Sequence, residues 1–482
     1  MTDSQTQRIR PLYLNGEWIS PPDALDVANP ATGKVFARVG VVGRGLVARA
    51  LRDAAAAWPA WRALSGKRRG AYLLAIADAL EKRAEQVART ITLENGKPLA
   101  QSRGEVAMTL DHLRWFAGEA PRAYGRVVPP QAEGKRHLVL RTPIGVVGAI
   151  APWNFPLVLA VRKVAPALAA GCPVVLKPAG ATPLSGVMLA EAVDEAKLPP
   201  GVFQLVLGPS AEIGAEMLEN PLCRKVTFTG STAVGKELIR GAAACVTKLS
   251  LELGGHAPVV VFVVADLTQA VQGTIIAKFR NTGQSCIAAN RVYVQRSIAD
   301  RFIPALVEAT RKLKVGDGLE EGVEIGPLIN EQALQQALEH IEEAKSLGAR
   351  ALCGGNRWSS GDGHFLEPTI LVDVPADARC MREETFAPVS PVCVFEEEAE
   401  AIREANATEY GLAAYAFTRD LPRMWRLAES LEAGTIGIND TVPATSQCPF
   451  GGFKQSGWGR ELGLEGLDAF LETKHISLGV QP

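Results

Sequence analysis

One thiol and one carboxylate in this chain are set in segments that could divide a reaction between them. Cys286 closes the run Phe279-Arg-Asn-Thr-Gly-Gln-Ser-Cys286, behind a helical segment and a Gly-Gln-Ser turn. Glu252 stands in Leu251-Glu-Leu-Gly-Gly255, ahead of paired glycines that permit close backbone approach. A thiol can attack an electrophilic carbon, and it is strongly nucleophilic although only a few per cent ionised near neutrality. A carboxylate can then relay protons or activate water. A buried structural thiol and a strand-end surface carboxylate are the plain alternatives. The polar neighbours Asn281, Thr282, Gln284 and Ser285 are poor core residues and speak against the first. A helix N-terminus or backbone donors nearby would raise the thiolate fraction.

Four further segments could position reacting groups. Pro152-Trp-Asn-Phe-Pro156 is a rigid turn, which makes Asn154 a preorganised amide for a developing oxyanion; a helix cap is the alternative. Phe228-Thr-Gly-Ser-Thr-Ala-Val-Gly235 takes a strand into a helix whose N-terminus could hold phosphate. It is not GxGxxG, and on this segment alone a simple Ser-capped helix is the preferred reading. Lys177-Pro-Ala-Gly180 follows a strand end, where open α/β sheets bind cofactors. Glu384-Thr-Phe-Ala-Pro388 places a carboxylate and an aromatic beside a turn, and either of the last two segments could be an ordinary loop.

The elements that must position these groups read as an α/β protein. The 482 residues are too many for one core, so two or three domains are expected. Residues 45–93 carry helical spacing in two or more amphipathic segments. From Ile144 onward, β-branched runs alternate with helix-length stretches: 144–150, 173–177, 203–207, 225–228 and 247–251, then 258–264, 291–294, 369–372, 392–395, 414–417 and 435–438. That alternation predicts mostly parallel sheets in two α/β domains. Residues 136–141 and 469–478 read as isolated strands of an extension.

Composition excludes several classes. The chain is 47% hydrophobic and 21% charged, which is globular, and 51 basic against 52 acidic residues give no electrostatic reason to bind nucleic acid or an anionic membrane. No apolar run approaches a transmembrane helix, and residues 1–7 lack the pattern of a secretory leader. Eight cysteines without a CxxC pair predict reduced thiols and a cytoplasmic setting, and six scattered histidines predict no metal site.

Taken together, the segments around Asn154, Gly230, Glu252 and Cys286 stand in the order and spacing of the NAD(P)-dependent aldehyde dehydrogenase superfamily, which the chain resembles from about Tyr13 to its C-terminal strand. The resemblance implies a Rossmann-type cofactor domain (1–122 and 143–253), an α/β catalytic domain (254–452) and a small β oligomerisation extension (123–142 and 453–482). It implies that Cys286 attacks the aldehyde, that Asn154 and the Cys286 amide hold the oxyanion, and that Glu252 activates the water that hydrolyses the thioester. Ile150 and Trp153 would line the cofactor cleft, Lys177 would contact the adenosine ribose, and Gly208, Gly230 and Ser231 would approach the adenosine end and pyrophosphate. Glu384 would bind the nicotinamide ribose, with Phe386 against the ring. A homodimer or homotetramer is expected.

Within the superfamily the chain is most similar to succinate-semialdehyde dehydrogenases. The resemblance assigns Arg162 and Arg280 to the distal carboxylate of the substrate, which suits the bidentate chemistry of guanidinium. A structural ion pair is the alternative for either one. Thr445 or Ser446 would assist. Gly180 stands where NAD-selecting relatives carry Glu, so NADP is expected to be accepted. Ala288 replaces the second cysteine of a redox switch found in some relatives. His256 replaces a commoner Lys, with no evident consequence. Other readings are broader or different aldehyde specificity (glutarate semialdehyde, an amino-aldehyde) and a non-catalytic binding protein.

Overall fold

The computed structural model describes residues 9–358 and 362–480; the leader reading rests on residues 1–7, which lie outside them. Among the described residues, a strand-rich segment precedes four helices, Arg44–Ala63, Gly66–Glu81, Ala84–Asn95 and Leu99–Glu119. Three of these cover the expected helical region. The second starts where the Ser65 side chain accepts from the Arg68 amide, and the third stops at Gly96 in the left-handed region.

The helices pack on a six-stranded sheet. Its strands run in the order Phe203–Leu205, Val174–Lys177, Val146–Ile150, Cys223–Thr229, Lys248–Glu252 and Gly457–Trp458. The first five are parallel and the sixth is antiparallel. Numbered by sequence, the parallel strands lie 3-2-1-4-5, the doubly wound order with its switch point between Val146–Ile150 and Cys223–Thr229. Register brings the carboxyl ends to one edge: Ile150 lies opposite Lys177 and Phe228, and Thr229 opposite Glu252.

A seven-stranded sheet holds the other half. Its order is Arg350–Cys353, Thr369–Val372, Val389–Phe395, Ala289–Gln295, Ala257–Val261, Ala413–Phe417 and Thr435–Ile438. All neighbours are parallel except the first pair. One apolar cluster joins the N-terminal helices to the six-stranded sheet, and two more cover the faces of the seven-stranded one. The expected isolated strands pair with each other: Lys135–Pro143 runs antiparallel to Leu471–Gly479, with Arg126–Val128 beside it.

Gly457–Trp458, within the 453–482 segment, pairs with Lys248–Glu252. Gly457 has φ +120 and would bring a Cβ within 1.9 Å of the Leu251 carbonyl, so only glycine lets this strand dock. Among the described residues no helix is long and apolar enough to cross a membrane, no group of three His, Cys, Asp or Glu is disposed to hold a metal ion, and all eight cysteines are free.

Candidate active site

Cys286 lines a cleft to which segments in or next to both sheets contribute, Thr229 and Leu253 from one and Glu384 and Phe386 from the other. The helix Leu267–Phe279 ends at Arg280, and the chain then turns through Asn281 (φ 51) and Thr282 (φ 58), both in the left-handed region. Such backbone costs on the order of 1–3 kcal/mol per residue and persists only where surroundings enforce it. Here they do. The Asn281 amide donates to Gln101 Oε1 at 2.7 Å, and its side chain donates to the Asn154 carbonyl at 2.8 Å. Thr282 Oγ1 donates to the Gly326 carbonyl and accepts from the Gly326 amide. Gln284 donates to the Pro327 carbonyl and accepts from the Ile329 amide. These polar residues are therefore fully buried, contrary to the sequence reading that polarity kept this run out of the core. Protein partners, not solvent, take their polar groups, except Asn281 Oδ1, which has none among the described residues.

The glycine pair behaves as its sequence suggests. A Cβ on Gly255 would lie 2.0 Å from the Cys286 carbonyl, so its absence lets the strand end after Glu252 press against the thiol loop. Gly255 N–H also donates to Glu384 Oε1 at 3.0 Å, tying the Glu384 segment to the same point.

Asn154 is held from behind. Its carbonyl accepts from Lys97 Nζ at 2.7 Å, and Lys97 pairs with Glu105 at 2.6 Å, both fully buried. Glu105 also takes the Leu157 and Val158 amides at the start of the helix Val158–Ala170, so Asn154 is not spent as that helix's cap. Its Nδ2 donates to the Gln284 carbonyl at 3.2 Å, which leaves the second N–H of the amide for a ligand.

Two spaces meet at the thiol. A cleft of about 450 Å³ runs from Trp153 and Asn154 past Gly230 and Ser231 to Glu384 and Phe386. A narrow chamber of about 40 Å³ lies on the other side, lined by Phe155, Arg162, Arg280 and Phe450 among others. Cys286 lines both. Burial pushes its thiol up to about 12, with the Glu384 and Glu252 carboxyls adding to the rise. Its own amide N–H points at the sulfur and opposes that. Glu252 lies just behind, 3% exposed, with Oε2 lacking a hydrogen-bond partner among the described residues. Burial raises its carboxyl well above the ordinary range, and nearby Glu461 raises it further. Lys163 Nζ bridges Glu461 Oε1 and Thr229 Oγ1, each at 2.6 Å, and so brings a compensating charge to that cluster.

The cleft has the features that a dinucleotide needs. The helix Thr232–Ala242 points its N-terminus there, with the Ser231 hydroxyl accepting from the Val234 amide as a cap. Trp153 and Phe386 meet edge to face with centroids 5.5 Å apart. Lys177 is buried at its strand end with only the Pro178 carbonyl as partner among the described residues, and burial lowers its amine to about 8. Burial raises Glu384 to about 8. Ile150 ends its strand at the same edge. Gly180 lies by Leu25, whose Cδ2 would be 3.1 Å from any Cβ there. Gly208 packs against Val42, whose carbonyl would be 2.2 Å from a Cβ; like Ile150, Lys177 and Gly180, it is not among the residues that line the cleft of about 450 Å³.

In the chamber, Arg162 stacks over Phe450 at 4.9 Å and Arg280 over Phe155 at 5.2 Å. Among the described residues neither guanidinium has a carboxylate partner; Arg162 donates to His112 and Arg280 approaches the Met108 sulfur. Thr445 and Ser446 do not line this space. Thr445 is exposed and bonds to Gln447, while the buried Ser446 hydroxyl is taken by His112 and Asp111. Sequence reasoning missed His112, Asp111, Lys163 and Glu461. A single histidine on a long helix and a glutamate 298 residues from its lysine carry no local signal.

Comparison with known proteins agrees with this geometry. The family model described as aldehyde dehydrogenase family matches residues 18–476. The NADP(+) succinate-semialdehyde dehydrogenase of Escherichia coli (strain K12) is 46% identical over 482 residues, all of both chains. A glutarate-semialdehyde dehydrogenase of Pseudomonas putida is 47% identical over 470 residues, 97% of each chain. A crystal structure of succinate-semialdehyde dehydrogenase from Burkholderia pseudomallei superposes with a TM-score of 0.96 at 44% identity over 99% of each chain. With thiol, carboxyl and cleft so arranged and these matches spanning its length, the chain belongs to the aldehyde dehydrogenase family.

Proposed function

We propose that this enzyme oxidises an aldehyde bearing a distal carboxylate, succinate semialdehyde or a near homologue, with NAD(P)⁺. The carrying observation is a pair of arginines that have no carboxylate partner among the described residues, in a mostly apolar chamber that opens on Cys286. Burying an unpaired guanidinium is costly, and a ligand carboxylate offsets that cost with bidentate hydrogen bonds. A cationic amino-aldehyde would meet two like charges in the same space. The names of the relatives, which specify succinate and glutarate semialdehydes, support the reading.

In the proposed sequence Cys286 gives up its thiol proton to solvent, its sulfur adds to the aldehyde carbon, and the second Asn154 N–H and the Cys286 amide hold the resulting oxyanion. NAD(P)⁺, when bound, supplies the ring that accepts the hydride as that carbon becomes a thioester. Glu252 then takes a proton from water, whose oxygen attacks the thioester and releases the acid and the thiol. Trp153, Ile150 and Phe386 would flank the cofactor, Lys177 and Glu384 would contact its ribose hydroxyls, and Gly230 and Ser231 would hold the pyrophosphate at the helix N-terminus.

A substrate panel tests the reading. Succinate semialdehyde should show a far higher kcat/KM than butanal, and equal values would reject the arginine assignment. In Arg280→Ala, loss of a charged hydrogen-bonding partner should raise KM for succinate semialdehyde by ~30-fold, so that the preference over butanal shrinks. NADP⁺ should be accepted, because Gly180 places no carboxylate near a 2′-phosphate. Gly180→Glu should raise KM for NADP⁺ by about tenfold or more through like-charge repulsion; parallel titrations with NAD⁺ check that the change is selective. Assembly as a homodimer or homotetramer is proposed through the Arg126–Val128, Lys135–Pro143 and Leu471–Gly479 sheet, where Val127, Leu140 and Leu478 are exposed.

A further inference from the structure

We propose that His112 is the residue that positions Arg162 against the distal anion of the substrate, through a hydrogen-bond chain running from the chamber to Asp111 at the surface. The inference rests on the assignment of Arg162 to that anion. His112 lies within the helix Leu99–Glu119 and is 2% exposed. Its Nε2 is 3.2 Å from Arg162 Nε. A guanidinium only donates, so Nε2 is the acceptor and the proton resides on Nδ1. Nδ1 lies 2.7 Å from Ser446 Oγ and donates to it. The Ser446 hydroxyl in turn donates to Asp111 Oδ2. Each donor and acceptor role is thus set by the two ends of the chain, a guanidinium that must donate and a carboxylate that must accept. Burial, with the Arg162 charge added, lowers the imidazole to about 2, so the ring stays neutral and keeps its lone pair for Arg162.

The arrangement fixes more than one side chain. Arg162 belongs to the helix Val158–Ala170, and Ser446 belongs to the loop that also carries Ala444 and Phe450 to the chamber wall. His112 therefore locks the guanidinium, through Nε, to the loop whose Phe450 ring lies under it. The Arg162 Nη atoms have no hydrogen-bond partner among the described residues and are left for an anion. Among the described residues Arg280 has no comparable strap. Its polar contact is the Met108 sulfur at 3.9 Å.

The test is a comparison of KM and kcat for succinate semialdehyde and butanal in His112→Phe, His112→Gln and Arg162→Ala. His112→Phe removes the acceptor and should raise KM for succinate semialdehyde by about tenfold, the scale of one hydrogen bond to a charged group. Its kcat should stay within about twofold, and butanal turnover should be unchanged, which also reports an intact fold. His112→Gln keeps an amide oxygen that can accept from Arg162 and should recover most of the loss. Equal KM shifts for the two aldehydes, or none for either, would overturn the positioning role. Arg162→Ala separates the two levels. If it leaves the carboxylate preference intact, the assignment of Arg162 itself fails. If it removes the preference while His112→Phe does not, only the role of His112 fails.

Discussion

In Cys286→Ser, aldehyde oxidation falls by three orders of magnitude or more, a loss of about 4 kcal/mol in transition-state stabilisation, while NAD(P)⁺ still binds. Among the described residues, Cys286 is the single one that lines both the cleft and the chamber, so nothing adjacent can substitute for it. Its own ionisation is already opposed by burial and by two carboxyls. A serine hydroxyl in the same place starts from a far higher pKa and is a weaker nucleophile, so the surroundings that a thiol overcomes would silence it. Cofactor affinity depends on Trp153, Lys177, Ser231 and Glu384 in the proposed assignment, and none of these changes. Steady-state rates and a fluorescence titration with NADPH measure the two properties separately. Loss of NADPH binding in the variant would contradict the separation of roles. Alkylation of the wild-type thiol, followed by peptide mapping, should be slow at pH 7 and accelerate as pH rises, because a raised pKa leaves little thiolate at neutrality.

The parts of this architecture that the sequence made legible share a physical cause. Thr369–Val372 coincides with its predicted range because a fully buried strand inside a sheet must be a short β-branched run, and the part-exposed edge strand Thr435–Ile438 coincides because its Thr and Ile residues mark it just as clearly. The thiol loop was found because its chemistry and its backbone demands fall within a few residues of one another. Gly255 shows the limit of that. Its presence suggested a close approach, but that the approaching atom is the Cys286 carbonyl needs the three-dimensional register. The segment before Arg44 was not read as strands. Its elements are two to six residues long and mostly part-exposed, so no alternation builds up. Gly457–Trp458 joins a sheet through two residues and a permissive glycine, which leaves no periodic trace. Asn281 and Thr282 misled for a different reason. Polarity normally argues for exposure, but here it supplies the hydrogen bonds that hold a left-handed turn inside the protein. His112 and Ser446, 334 positions apart, form a contact that no local pattern encodes.

Glu252→Gln should separate the two halves of the reaction. Glutamine keeps the shape and hydrogen-bonding capacity of the side chain but cannot take a proton from water. Acylation of Cys286 would proceed, producing about one equivalent of NAD(P)H per active site in a burst, and turnover would then fall by about 10²–10⁴-fold, the usual contribution of a general base. The acyl-enzyme should accumulate and appear by intact-protein mass spectrometry as one added acyl group. The pH profile supplies an independent check. Burial and Glu461 raise the Glu252 carboxyl, so in the wild type it is protonated at low pH and becomes a base only as pH climbs through that raised value. The wild-type hydrolytic rate should therefore rise with pH through a range above the ordinary carboxylate one, and that limb should vanish in the glutamine variant. Replacing Glu461 by Gln removes one negative neighbour and should move the limb toward lower pH without abolishing it. If Glu252→Gln showed no burst, the carboxyl would be needed for attack by the thiol as well, which its proximity to the raised Cys286 thiol makes physically coherent. Retention of full turnover would exclude Glu252 as the base altogether.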